Sequence, residues 1–260
     1  KLDPDARWSD GRPVTAEDYV HTWRMMQSES IVDPFYNQYA RDYYQDVTAL
    51  GPYTLKVVGA FASWRPLDMF DLWATPRHAV TLDEGFPERY NSAVLPVQGP
   101  YVLTEQQTGQ YVVFSRLGDW WGKDKHYWRG MYNVDRIHIR VIEDTDRAFD
   151  FFKKGELSYY SVNTARTWAE EMDFEAVARG WVHRKRLFID YPQGVYGFAM
   201  NLERPIFQNK DFRKAVQYLF DFDQINAKLM FGAYYRQVSA FTGTEYENHD
   251  LVPYGFDPRR

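Results

Sequence analysis

Residues 8–18, Trp-Ser-Asp-Gly-Arg-Pro-Val-Thr-Ala-Glu-Asp, constrain the fold of this chain more tightly than any other stretch. Ser9-Asp10-Gly11 ahead of Pro13 is turn chemistry, because Asp bonds its own backbone and Gly accepts positive φ. Thr15 precedes Asp18 by three residues, a variant of the capping box. Apolar residues at Tyr19, Val20, Trp23 and Met26 then follow helical spacing, predicting a helix over 16–28. A turn locked to a capped helix is a structural device, and nothing in it is catalytic.

A chain of 260 residues can bury one large core or two ordinary ones. The balance of 31 basic against 36 acidic residues gives a net charge of −5, without the basic footprint that nucleic acid requires. No apolar run approaches bilayer length; Tyr111-Val112-Val113-Phe114 is typical, so the chain reads as soluble. The absence of cysteine removes disulfides, Cys-ligated zinc and thiol nucleophiles, and it fits a periplasmic or a cytosolic protein alike. The N-terminus, Lys1-Leu2-Asp3-Pro4, carries neither an initiator Met nor an apolar signal region, and the sequence reads as an internal piece of a longer precursor. A missing signal segment then says nothing about export. Twenty Tyr, 18 Phe and 9 Trp read for the most part as a core rich in large side chains, while some are candidates to line a groove, since Tyr and Trp offer an apolar body with a polar tip.

The pattern along the chain mixes helix and strand. Residues 33–39 read as an aromatic loop, 53–58 as a strand after Gly51-Pro52, and 64–90 as short helices and loops around Pro66, Pro76 and Pro87. Residues 101–105 and 111–116, separated by a loop containing Gly109, predict a hairpin. Strict alternation over 136–142 predicts a half-buried strand. A helix capped by Asp144 or Thr145 runs through Phe149, Phe152 and Lys153 to Gly155, and 157–162 reads as a strand, completing a β-α-β unit. Helices are expected over 164–172, 174–178, 210–220 and 223–229, and strands over 181–189 and 196–202.

Catalytic signatures are nearly absent: there is no nucleophile elbow, zinc-protease motif, phosphate loop or dinucleotide fingerprint. None of His21, His78, His126, His138, His183 and His249 lies one helical turn from another. Glu170-Glu171 and Asp144-Thr145-Asp146 read as solvated charge and capping, since adjacent carboxylates on a helix face different ways. A glycosidase needs only two distant carboxylates, yet the balance favours binding over catalysis. The basic cluster His183-Arg184-Lys185-Arg186 reads either as an anion or docking site, or as charge protecting an exposed strand edge.

As a string, residues 8–18 closely resemble the opening motif of the family 5 extracellular solute-binding proteins, the oligopeptide-capturing components of ABC importers. The resemblance continues, in order, through Gln98-Gly99-Pro100-Tyr101-Val102-Leu103 and Arg116-Leu117-Gly118-Asp119-Trp120-Trp121-Gly122-Lys123. It extends through Asn133-Val134-Asp135-Arg136-Ile137, Asp146-Arg147-Ala148-Phe149 and Gly155-Glu156-Leu157, where Ser158 replaces the family's usual Asp. Met200-Asn201-Leu202-Glu203-Arg204-Pro205 with Asp211-Phe212-Arg213-Lys214-Ala215-Val216 completes it. Residues 163–169, Phe220-Asp221-Phe222-Asp223 and Gly232-Ala233-Tyr234-Tyr235-Arg236 resemble the YejA-like oligopeptide and microcin-uptake subgroup.

The resemblance implies a mixed α/β fold of the periplasmic binding protein class II type, with mixed sheets flanked by helices and the closing lobe missing. It implies a smaller inserted lobe over 1–95, a mixed-sheet core lobe over 96–240, and the start of a connection to a third lobe over 241–260. It also implies a monomer that binds an oligopeptide or peptide-like ligand and serves ABC permease membrane subunits. No catalysis, cofactor, metal or nucleic acid is involved, and the setting is periplasmic or extracellular, with lipid anchoring as one mode. An importer that accepts many peptides should grip the backbone they share, by pairing it to a strand edge, with side chains in roomy, wet pockets. The candidate edge is Tyr196, Gly197, Phe198, Ala199 and Asn201, where Gly197 and Ala199 leave room on one face; an internal strand packed under a helix reads equally well there. Phe35, Tyr36 and Tyr39 occupy the loop where family members place groove-lining aromatics, and Asn163 and Arg166 lie near the family's hinge-side pocket. A carbohydrate-binding or glycan-active module using its aromatics is the alternative.

Overall fold

The computed structural model describes residues 1–31, 33–187, 194, 196–237, 239 and 241–246. They fall in two units, divided between Ile142 and Glu143. The boundary expected between residues 95 and 96 lies inside the first unit, because the chain there is tied back to the N-terminal turn. Ser9 N–H donates to Val97 O (2.7 Å), and the indole N–H groups of Trp120 and Trp121 both donate to Gln98 O (2.7 and 2.9 Å).

In the first unit the N-terminal motif behaves as a hub around one buried carboxylate. Gly11 turns with φ of 86°, Gly11 N–H donates to Trp8 O and Trp8 N–H to Arg12 O. Helix α1 (Ala16–Met26) starts at Thr15 with the capping box closed. Asp18 Oδ2 accepts from Thr15 N–H (2.8 Å) and from the Trp8 indole N–H (3.4 Å), while Oδ1 accepts from Arg77 N–H (3.2 Å). Asp18 is only 2% exposed. A carboxyl so buried is tolerated only when its oxygens are hydrogen-bonded, and here three segments supply the donors. Ala6, Trp8 and Val14 form a small apolar cluster beside this hub.

The larger cluster joins Val20 and Met26 of α1 to Ala40, Tyr44, Val47 and Leu72. Ala40 belongs to α2 (Pro34–Tyr43), a helix where the sequence predicted an aromatic loop. Its start is well specified: Asp33 Oδ1 accepts from Phe35 N–H and Tyr36 N–H, and Pro34 sits where its missing donor costs nothing. Strand β1 (Tyr44–Gly51), which was not predicted, follows directly and pairs antiparallel with β2 (Thr54–Gly59) across the Gly51-Pro52-Tyr53 turn. A 3₁₀ turn over Pro66–Phe70 and the short α3 (Phe86–Tyr90) agree with the expected broken segment.

The predicted hairpin forms as β3 (Tyr101–Gln107) and β4 (Tyr111–Arg116), with Gly109 at φ of 71°. Strand β5 (Arg136–Arg140) extends it in the order β3-β4-β5. The expectation that this strand is half-buried is corrected: all five residues are exposed, Ile139 at 49%. Alternation assigns faces to a strand, but an edge position leaves them uncovered. Between β4 and β5, Gly122 is required by packing, since a Cβ there would lie 2.6 Å from the Trp120 ring.

In the second unit, Asp144 caps α4 (Thr145–Lys153) by accepting from Arg147 N–H at 2.7 Å, and Gly155 ends it at φ of 78°. The predicted strand over 157–162 does not form. Tyr160 instead stacks its ring on Phe152 (5.7 Å) and leans on buried Phe149, packing as a side chain on α4, while Tyr159 is exposed. The predicted helix over 164–172 is largely a π turn, Thr167–Glu171, followed by α5 (Glu175–Ala178). Described residues 181–187 form no strand; Arg184 and Arg186 both lie over the Trp168 ring, and the end of that predicted strand falls outside the described residues. Helices α6 (Pro205–Gln208), α7 (Lys210–Tyr218) and α8 (Phe222–Leu229) follow; α7 and α8 match the two helices predicted there.

Residues 196–202 are likewise not a strand. Alternation was present in the sequence, but a strand exists only against a neighbour, and among the described residues none pairs with this one. The architecture is mixed α and β, with small antiparallel sheets and short helices.

Candidate ligand-binding surface

The most organised aromatic array in the first unit lies along α2. Residues four apart share a helix face, so Phe35, Tyr39 and Tyr43 align. Phe35 and Tyr39 stack with centroids 6.2 Å apart, and Tyr39 and Tyr43 stack at 4.3 Å with planes 20° apart. Around this ladder the contacts turn edge-to-face: Tyr36 to Trp73 (5.5 Å), Tyr43 to Phe61 (5.6 Å) and Tyr39 to Tyr44 (5.9 Å). The Asn37 side-chain amide donates to Met26 O and fixes the helix against the end of α1.

At the C-terminal end of the ladder, Tyr39, Tyr43, Arg65, Leu67, Phe70 and Asp71 line an open cleft of about 530 Å³. Beneath it Tyr44 is buried, with its hydroxyl donating to Asp71 O. Burial first, then its bond with Tyr39, pushes the Tyr44 hydroxyl far above the ordinary tyrosine range, so it stays a neutral donor. The structure thus gathers Phe35, Tyr36 and Tyr39 into one surface. It adds Tyr43, Phe61, Phe70 and Trp73, which the sequence reading missed. The i, i+4 step from Tyr39 to Tyr43 was a usable signal; Phe61, Phe70 and Trp73 lie in a segment without periodicity.

The remaining candidates belong to the second unit. Tyr196 is 97% and Phe198 96% exposed, and an added Cβ at Gly197 would meet nothing within 4 Å. Tyr196 N–H donates to the Gln237 side chain (2.9 Å), Ala199 is exposed, and Asn201 turns the chain by accepting from Glu203 N–H. Asn163 accepts from the Ser161 hydroxyl, and Arg166 lies 3.5 Å from Glu170 and 3.8 Å from Glu171.

Groups suited to catalysis do not converge among the described residues. No cluster of three metal-ligating side chains occurs there, and no helix is long and apolar enough to cross a membrane. His78 Nε2 meets Asp10 Oδ2 at 2.7 Å. Burial opposes ionisation of Asp10, but the Arg12 N–H and His78 together hold its carboxyl below the usual range. The pair braces the N-terminal turn.

Known proteins align with this picture. A binding protein of Brucella melitensis is 32% identical over 249 residues, covering 94% of this chain and 39% of that protein. The probable peptide-binding protein YejA of Agrobacterium fabrum is 30% identical over 258 residues, covering 96% and 42%. The chain therefore spans about two-fifths of the length of these relatives. Among solved structures, NikZ from Campylobacter jejuni in complex with Ni(L-His) superimposes with a TM-score of 0.59 at 17% identity, covering 92% of this chain and 45% of that one. A likeness at that identity speaks for the fold. The model of the bacterial extracellular solute-binding proteins, family 5 middle region, matches residues 1–260, and the chain belongs to that family.

Proposed function

We propose that this chain is the substrate-binding component of an ABC importer for oligopeptides or peptide-like compounds. Family membership over the whole chain carries the proposal, supported by the YejA relative whose name denotes peptide binding. The exposed main chain of residues 196–201 supports it in physical terms. A receptor for many sequences must bond what all peptides share, and residues 197–200, which pair with no strand among the described residues, offer backbone to an extended guest. Closure of one lobe on another would bury that guest and create the shape a permease reads. In this reading the protein works as a monomer in the periplasm or outside the cell, lipid-anchored or free. It delivers cargo to membrane subunits and transforms nothing.

The test uses protein expressed from its complete reading frame. Thermal shift and calorimetry against mixed tripeptides to pentapeptides should show saturable stabilisation, with about 100-fold excess over Kd giving roughly 2.7 kcal/mol. Stabilisation by chitin-type or cello-oligosaccharides and none by peptides would transfer the assignment to the glycan-binding alternative.

A further inference from the structure

The cleft beside α2 has a composition that selects among side chains. Among the described side chains, the charged lining residues Arg65 and Asp71 cancel, and the Arg65 guanidinium lies 5.6 Å from the centre of the Trp64 ring. A cationic or anionic guest would thus meet one like charge for each opposite one, while an uncharged guest loses nothing. The rest of the lining is Tyr39, Tyr43, Phe70 and Leu67, with Phe70 59% exposed on its 3₁₀ turn.

Ring geometry narrows the guest further. Tyr39 is stacked against both Tyr43 and Phe35, so the broad faces a sugar would need there are used internally. What the surrounding rings repeat is an edge-to-face pattern, with planes 67° to 78° apart at Tyr43–Phe61, Tyr36–Trp73 and Phe35–Tyr36. Positive ring edges seek the negative face of another ring, and a guest ring continues such a herringbone where a saturated ring does not.

The geometry points to this cleft as a subsite for one uncharged aromatic side chain of a bound peptide, an assignment that rests on the peptide reading above. A favourable ring pair adds about 1 kcal/mol beyond burial, so two such contacts amount to roughly tenfold to thirtyfold in affinity.

Two measurements on the complete protein separate the subsite from the peptide reading. Calorimetry with trialanine reports peptide capture alone. ¹⁹F NMR with 4-fluorophenylalanine amide reports the cleft alone. The fluorine line should broaden with wild type, sharpen on adding phenylalanine amide, and remain sharp with Phe70→Ala. Phe70→Leu, which keeps apolar bulk without a ring, should behave like Phe70→Ala. Ala-Phe-Ala should bind wild type at least about tenfold more tightly than trialanine, a ratio that falls about fivefold in both variants.

The subsite is overturned if the line stays sharp with wild type, if both variants broaden it equally well, or if lysine amide or N-acetylglucosamine displaces the probe as effectively. Trialanine binding without probe binding removes the subsite and keeps the peptide reading. Probe binding without trialanine binding does the reverse.

Discussion

The turn at Asp18 and the segment from Tyr196 to Asn201 use similar raw material to opposite ends. At Asp18 the carboxylate itself is answered: one buried group receives N–H groups from residues 8, 15 and 77. Around Phe198 the chain offers main-chain groups and large rings to solvent. The first arrangement fixes a backbone and leaves nothing for a ligand. The second leaves a backbone open to be completed from outside. Rigidity and receptivity are thus allotted to different stretches of one chain, and motif strength tracks the first.

Substitutions can break this contrast, beginning with the largest effect. Asp18→Ala strands three N–H donors in the interior and should cost about 3 kcal/mol, read as a lowered midpoint in urea with an unchanged slope. An unaltered midpoint would mean that the hub is replaceable. Asp33→Ala removes the cap of α2 at about 1 kcal/mol, and it should also weaken probe broadening in the cleft because the ring ladder starts at that cap.

His21 gives a pH-dependent version of the same test. Its Nε2 is buried with no hydrogen-bond partner among the described residues. Burial lowers its pKa below the ordinary 6.5, against the pull of Asp18 and the Val80 backbone and with help from Arg24 and Arg77. The unfolded chain therefore takes the proton first as pH falls. Its contribution to stability is complete above about 6.5 and is lost as pH drops through the lower folded value. Thermal melts at pH 7.5 and 5.5 should differ less in His21→Leu than in wild type. The smallest effect belongs to Phe198→Ala, which should change stability by under about 0.5 kcal/mol while lowering affinity for peptides. A large stability loss there would show that the segment is structural after all.

These contrasts also explain what was legible in the sequence. Asp10-Gly11, Thr15 with Asp18, Asp144 and Gly155 act over a few residues, and each did what its chemistry dictates. The hairpin at Gly109 was readable for the same reason. The strands expected over 157–162 and 196–202 failed because alternation describes one chain, whereas a strand is a relation between two. The aromatic run after Asp33 concealed a helix, its cap and proline outweighing the bulky residues that follow. Of the candidate surface, Phe35, Tyr36 and Tyr39 were legible. Phe61, Phe70 and Trp73 were not, since folding, not spacing, brings them to the helix.

The indoles of Trp120 and Trp121, pinned to a single carbonyl and 5.9 Å apart, have a spectroscopic consequence. Their emission comes from a fixed pair and forms a constant background in any titration followed by intrinsic fluorescence. Trp73, half exposed against Tyr36, responds when the α2 face is covered, as does exposed Trp64 beside Arg65. Replacing Trp120 and Trp121 would cost the fold and leave the other seven of the 9 indoles emitting, so a Trp73→Phe difference spectrum is the sounder optical readout of occupancy.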